Sequence, residues 1–305
     1  MPHSSRVEPM TSVWDRLRVW VLAARPKTLA ASLAPVLVGT AMALEAGVVA
    51  PVAAGCAFLS ATLIQVGVNY HNDYTDYLKG TDTEERVGPL RVTQAGLVDP
   101  QTMRRATVAV FVGAVAIGGY LIYRGGWPIL VIGVASIATA IWYTAGPYSL
   151  AALGLADLAV FLFFGPIAVG GTYYVQALAC PPEVLVAGVG PGLFSVGILL
   201  VNNVRDAPND RKAGKRTLVV RLGREAGARL YAATLGGALL VPVVLVLWTG
   251  RHPWTLGTLL LTPWAVRAAR TVLRTSAPKR LNPLLATTGR LLALWAVLFA
   301  LGWTL

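Results

Sequence analysis

Charge is what this sequence lacks most. Only 13% of its 305 residues are Asp, Glu, Lys or Arg, against about a quarter in soluble domains. With 55% hydrophobic residues and a mean hydropathy of +0.62, such a chain has lipid as its main solvent. Cysteine is almost missing. Cys56 falls in an apolar run and Cys180 near a loop, which leaves no basis for a disulfide framework. The histidines His3, His71 and His252 are too scattered for a metal cluster. The first 27 residues carry Glu8, Asp15, Arg16, Arg18, Arg25 and Lys27 and no clean apolar core, so no cleavable signal is expected. The chain is basic, with 26 Lys+Arg against 14 Asp+Glu. Zinc-finger spacing is absent, and so is a basic helix free of lipid. The excess of positive charge therefore points to a membrane face or anionic substrates, and no nucleic acid partner is expected.

What is present is a series of apolar runs. Nine are long enough to propose as spanning helices, at about 20 residues each: roughly 28–46, 49–70, 104–123, 126–144, 153–178, 183–204, 226–248, 254–270 and 288–305. The eighth is short and contains Pro263. The expected fold is all-α, a polytopic membrane bundle of about nine transmembrane helices forming a single domain over 1–305. Within 1–24, Trp14, Leu17, Val21 and Ala24 recur at helical spacing among arginines, which predicts an interfacial N-terminal helix. With the N-terminus inside, 24 of the 26 basic residues fall on one side and only Arg124 and Arg251 on the other. The positive-inside rule then makes that side cytoplasmic. Gly188, Gly190 and Gly192 follow no strand and form no phosphate loop; close helix packing is their expected use.

Two polar segments interrupt the apolar pattern. Asn69, Asn72, Asp73 and Asp76 lie three or four apart and share a helical face; Asn202, Asp206 and Asp210 repeat the arrangement. Such residues can be ordinary caps or solvated decoration. Two carboxylate faces on one membrane side favour a different reading. Clustered carboxylates cannot all stay ionised without a cation, and Mg²⁺ takes a few carboxylates together with water and substrate phosphates. Lys79, Arg86, Arg91, Arg205, Lys212 and Lys215 would face the phosphates. Asp157, early in the fifth apolar run, is either functional or a favourable charge at the positive end of a helix. His71 is read as a neighbour of the first acidic face and not as a ligand.

The stretches RPKTL at 25–29, NDYTDYLKGTD at 72–82, ERVGPLR at 85–91 and NNVRDAPNDRKAGKRTLVVRLG at 202–223 resemble the UbiA superfamily of intramembrane aromatic prenyltransferases. Within it, they resemble most the branch acting on 1,4-dihydroxy-2-naphthoate. The likeness covers nearly the whole chain after residue 24. It implies a Mg²⁺-dependent transfer from a polyprenyl diphosphate, by an integral membrane enzyme of a bacterial plasma membrane with its site near the cytoplasmic face. In the first motif Asn72 and Asp76 match and Gly80 stands at the third position, with an acid at Asp82. Either Asp73 or Asp82 would then complete the metal ligands, with Asn72, Asp76, Asp206 and Asp210. The resemblance also implies that Arg91 and Lys215 contact diphosphate and that Tyr143 lines the reaction centre.

Chemistry sets further expectations. An allylic cation must be kept dry. Tyr70, Tyr74, Tyr143 and Tyr148 would shelter it through their ring faces, or belong to the interfacial aromatic belt. Arg25 and Lys27 would hold the acceptor carboxylate, or serve as membrane anchors. A carrier is the competing class, though carriers place charges near the midplane and these acids sit at one face. Another acceptor, such as 4-hydroxybenzoate, haem, a chlorophyllide or homogentisate, would keep the enzyme class.

Overall fold

The computed structural model describes residues 12–78, 80, 90–144, 148–212, 214–275 and 277–305. Among them every regular element is helical. Lys79, Asp82 and Arg86 lie outside the described residues.

The chain enters through α1 (Val13–Ala24) and turns at Arg25 into α2 (Pro26–Glu45). A capping box at Ser12 and Asp15 starts α1, satisfying two amides that have no partner inside the helix. Arg25 ends it in the left-handed region, with φ 52°. Proline at the first position of α2 suits the missing N–H there. The bundle continues with α3 (Pro51–Leu78), α4 (Pro100–Gly125) and α5 (Trp127–Trp142). Two short helices follow, α6 (Leu150–Leu153) and α7 (Ala156–Phe163), then α8 (Pro166–Ala177). The second half holds α9 (Pro182–Lys212), α10 (Leu218–Leu222), α11 (Arg224–Thr249), α12 (Thr262–Arg274) and α13 (Asn282–Thr304). A 3₁₀ stretch, Pro253–Leu261, leads into α12.

All nine expected segments are occupied by helix, but not as nine uniform spans. Seven are long and apolar enough to cross a bilayer, counting α7 with α8 as one. The fourth, α5, has 16 residues. The eighth is the 3₁₀ stretch joined to α12. The fifth expected run breaks at Phe164–Gly165, where Pro166 removes an amide and opens α8.

Close backbone approach holds the second half together. A Cβ on Gly188 would lie 2.6 Å from Pro166 Cα, and one on Gly192 2.7 Å from the Phe161 carbonyl oxygen. The alternate glycines of α9 are therefore the surface on which the broken α7–α8 pair seats. Gly190 faces another way, onto the ring of Trp295. That ring begins a stack on α13 through Phe299 at 5.0 Å and Trp303 at a further 5.4 Å between ring centres. In lipid, where burial of apolar surface gives little net drive, such small-residue packing carries helix association.

The packing makes a direct prediction. Gly188→Ala places a methyl group against backbone that cannot rotate away. It should destabilise the bundle by about 1–3 kcal/mol, seen as a lower unfolding temperature in detergent. Gly118→Ala, at a helical site with nothing within 4 Å, should leave that temperature unchanged or raise it. Equal losses in both variants would show that the α8–α9 contact does not limit stability.

Candidate active site

Length places the acids. At 1.5 Å per residue, α3 runs about 42 Å and α9 about 46 Å, from their 28 and 31 residues. A bilayer core is about 30 Å thick. Each helix thus has two or more turns beyond an apolar span. The surplus turns carry Asn72, Asp73 and Asp76 on α3, and Asn202, Asp206 and Asp210 on α9. Both groups sit at C-terminal helix ends, where the helix dipole disfavours negative charge. Cations and amide donors are therefore required nearby, and the structure supplies them.

The four acids are treated differently. Asp73 is almost fully buried, and its two oxygens accept from the amides of Thr93, at 3.0 Å, and Val92, at 3.2 Å. It holds the returning chain against α3. Asp76 is buried too and is paired with Arg91, itself buried. The ammonium of Lys215 stands 3.8 Å from the other oxygen of Asp76. That contact joins the loop after α9 to the end of α3, so the two acidic segments belong to one site. Asp206 is gripped at both oxygens by the Arg205 guanidinium, at 2.7 and 2.6 Å. Asp210 lies within electrostatic reach of Lys215, Asp206, Asp76 and Arg205.

The remaining expected residues fall around this core. Asn72 accepts a hydrogen bond from the Thr144 hydroxyl at 3.1 Å, which draws the end of α5 to α3. Tyr143 precedes Thr144, and its phenol is affected by Asp157, Asp76 and Asp210. Arg205 commits its third donor to Asn282, at 3.0 Å, so it braces Asp206 and α13. Lys212 is exposed at the end of α9, and Lys27 is exposed near the start of α2. Arg25 is half-buried at the corner between α1 and α2. Asn69 grips that corner, donating to the Ala24 carbonyl at 2.8 Å and to the Thr28 hydroxyl at 3.0 Å. It ties the RPKTL stretch to the acidic helix. Tyr70 is not at the acids: its ring packs on Trp20 at 5.4 Å and its hydroxyl bonds the Trp20 carbonyl. Tyr148 is exposed, as an interfacial tyrosine is.

Three contributors were not read from the sequence: Thr144, Asn282 and Gln65, the last bonded to the Thr28 hydroxyl at 3.4 Å. Asn282 had a signal, an Asn-Pro pair opening a helix. Thr144 and Gln65 had none, since their partners are distant in sequence.

The donor set suits a hard divalent ion. Asp76, Asp206 and Asp210 offer carboxylate oxygen only, with no thiolate or imidazole among them, as Mg²⁺ prefers. Among the described residues no three acidic, histidine or cysteine side chains are gathered closely enough to hold an ion alone. Water and substrate phosphate would complete the shell, which is the usual habit of Mg²⁺.

With this geometry established, comparison with known proteins is decisive. Residues 32–296 match the UbiA prenyltransferase family. The chain belongs to that family. It is 39% identical over 284 residues to the 1,4-dihydroxy-2-naphthoate octaprenyltransferase of Mycobacterium tuberculosis, covering 92% of this chain and 95% of the relative. It is 36% identical over 294 residues to the enzyme of the same name from Escherichia coli, covering 94% and 96%. Its fold is that of a UbiA homologue from Archaeoglobus fulgidus solved bound to GPP and Mg²⁺. That likeness has a TM-score of 0.61 and 14% identity, covering 92% of this chain and 99% of the other. The family assignment, together with acids at one end of the bundle, favours an integral membrane prenyltransferase over a carrier.

The bracing role of Asp73 can be tested by substitution. Asp73→Ala leaves the amides of Val92 and Thr93 without their acceptor and should cost about 2 kcal/mol or more of stability. Asp73→Asn keeps one carbonyl oxygen and should lose less. Thermal unfolding of both variants checks this. An Asp73→Ala protein that melts with its parent but loses metal affinity would make Asp73 a ligand and not a brace.

Proposed function

We propose that this protein transfers a polyprenyl group from polyprenyl diphosphate to 1,4-dihydroxy-2-naphthoate with loss of carbon dioxide. The observation that carries the reading is the Lys215–Asp76 contact, which unites the two acidic segments into one anion-and-cation site. The activity named for two relatives, more than a third identical over nearly their whole length, supports the choice of acceptor. The archaeal homologue with GPP and Mg²⁺ supports the choice of donor and ion.

Asp76, Asp206 and Asp210 would hold Mg²⁺, with Asn72 beside them; of the residues outside those described, Asp82 would be a further ligand to the ion and Lys79 a further cation for the diphosphate. Bound Mg²⁺ supplies positive charge to the leaving diphosphate. Lys215, Arg91 and Lys212 add the protein's own cations at the same place. Arg205 acts by holding Asp206 in position. Asp73 fixes the segment that presents Arg91, because Val92 and Thr93 follow it directly. Tyr143 lines the space where the allylic cation forms and turns a ring face to it. The apolar bundle excludes water from that cation.

The acceptor enters with its carboxylate toward Arg25 and Lys27. The ring carbon that bears this carboxylate is activated by the hydroxyl ortho to it and forms the new bond to the prenyl carbon. The carboxyl group then leaves as carbon dioxide, and its bonding electrons return to the ring. Loss of a gas makes the step effectively irreversible. The site faces the cytoplasm of a bacterial plasma membrane, by the one-sided placement of basic residues, and α1 lies in the interface with Trp14, Leu17 and Val21 outward.

Asp76→Asn, Asp206→Asn and Asp210→Asn keep shape and remove charge. Each should lower turnover at least about a hundredfold, equivalent to roughly 2.7 kcal/mol of barrier, in protein that stays folded in the membrane. Acceptor labelled in its carboxyl carbon should release labelled carbon dioxide in step with product, and chelation of Mg²⁺ should stop both. Losses under about tenfold in all three variants would make the acids caps. Label retained in product, or a better rate with 4-hydroxybenzoate, would remove the naphthoate assignment.

A further inference from the structure

Asp157 lies close enough to Tyr143 to act on its phenol. It is the second residue of α7, whose preceding residue, Leu155, makes no side-chain cap. Both of its carboxylate oxygens are shielded from solvent and take no hydrogen bond from another described residue. Ordinary caps on the same side of the bundle look different: Ser149 receives the Ala152 amide and Thr217 the Val220 amide. Favour from the dipole of an eight-residue helix explains a negative charge at its start, but not one withdrawn from water with no donor beyond its own amide.

The surrounding chain holds the start of α7 in place. The Tyr143 carbonyl accepts from the Ala151 amide at 3.3 Å, and the Leu150 carbonyl accepts from the Leu155 amide at 3.0 Å. Gly154 takes the left-handed turn between them, with φ 73°. Arg221 of α10 binds the Ala152 carbonyl at 3.3 Å and the Arg216 carbonyl at 2.9 Å, fastening the turn to the segment that carries Lys215. Below it, Phe161 packs on Gly192 of α9. Tyr143 thus shares its surroundings with Asp157 and with Asp76 and Asp210 of the two acidic segments.

We infer that Asp157 is a catalytic residue of the acceptor half-site, accepting a hydrogen bond from a ring hydroxyl of the aromatic acceptor. This rests on the prenyl-transfer reading above and adds to it what orients and activates the ring. The missing donor is one the acceptor carries. A hydroxyl bonded to a carboxylate enriches the ring carbons in electrons, which favours attack on the allylic cation. As the carbon–carbon bond forms and the bond to diphosphate breaks, the hydroxyl oxygen becomes a carbonyl and its proton passes to Asp157. When carbon dioxide departs, the electron pair of the broken bond restores the aromatic ring. The oxygen then recovers the proton, and Asp157 ends as it began. Like charge also sets direction: Asp157 repels the acceptor carboxylate and leaves it to Arg25 and Lys27.

The test compares Asp157→Asn with the parent enzyme, in detergent and in vesicles. The substrates are dihydroxynaphthoate, its two mono-methyl ethers, and 4-hydroxybenzoate with its methyl ether. The variant should lose about a hundredfold or more in turnover of the free hydroxyl acceptor, while KM for the prenyl diphosphate changes less than about twofold. One ether should cost the parent a similar factor and cost the variant nothing further, since both changes remove the same bond. The melting temperature of the variant should be unchanged or higher, because a buried charge without a partner has been removed. Turnover within about threefold of the parent, or losses from variant and ether that multiply, would overturn the assignment, and so would a lower melting temperature with unaltered ether response. If the parent prenylates another acceptor of the panel, the naphthoate reading fails, and the same comparison is made with that acceptor. If it prenylates none, the transfer reading fails and takes the catalytic role of Asp157 with it, and a fall in the variant's melting temperature then makes Asp157 structural.

Discussion

Carboxylates at the C-terminal ends of two overlong helices set the terms for this molecule. Neither the edge of the bilayer nor the negative pole of a helix favours them. The fold answers with a separate partner for three of the four, and Asp210 lies in the field of Lys215 and Arg205. Arg91 and Lys215 meet Asp76, Arg205 grips Asp206, and two backbone amides satisfy Asp73. These partners come from the loop after α3, the loop after α9 and α9 itself. Balancing the charge therefore also joins the two halves of the bundle. A diphosphate with a divalent ion is the natural guest of such a place, because each cation and each carboxylate has a counterpart in it.

Positioning of the charges depends on uncharged packing. The glycines of α9 let the backbone of the broken α7–α8 pair approach to contact, and this fixes where Asp157 and the turn after Tyr143 lie. Asn69 and Gln65 pin the corner at Arg25 to α3. Arg25 holds a left-handed backbone that a non-glycine residue adopts at some cost, which the surrounding bonds must offset. Strain of that kind at a charged residue beside the acidic helix fits a residue kept for its position.

Much of this was legible in the sequence, for physical reasons. Deficit of charge and length of apolar runs gave the membrane class, and the periodicity of Asn69, Asn72, Asp73 and Asp76 gave a polar face. What the sequence could not give was how the acids divide their work. Asp73 and Asp76 look alike in a motif, yet one binds amides and the other binds Arg91 and Lys215. Arg205 reads as a phosphate ligand from its neighbours, and only three-dimensional packing turns it onto Asp206 and Asn282. Helix count suffered for a similar reason. The break at Phe164–Gly165 and the 3₁₀ entry to α12 are set by proline and by packing, which hydropathy does not record.

Since Asp76 and Asp206 already carry their own cations and no three carboxylates form a ready metal cage among the described residues, ion and diphosphate should bind as a pair. The direct measurement is calorimetric titration of the protein in nanodiscs with Mg²⁺, with and without an unreactive thiolodiphosphate analogue of the prenyl donor. The analogue should tighten Mg²⁺ binding at least about tenfold, and Mg²⁺ should tighten the analogue by the same factor, as linkage requires. Equal Mg²⁺ affinity in both titrations would contradict it.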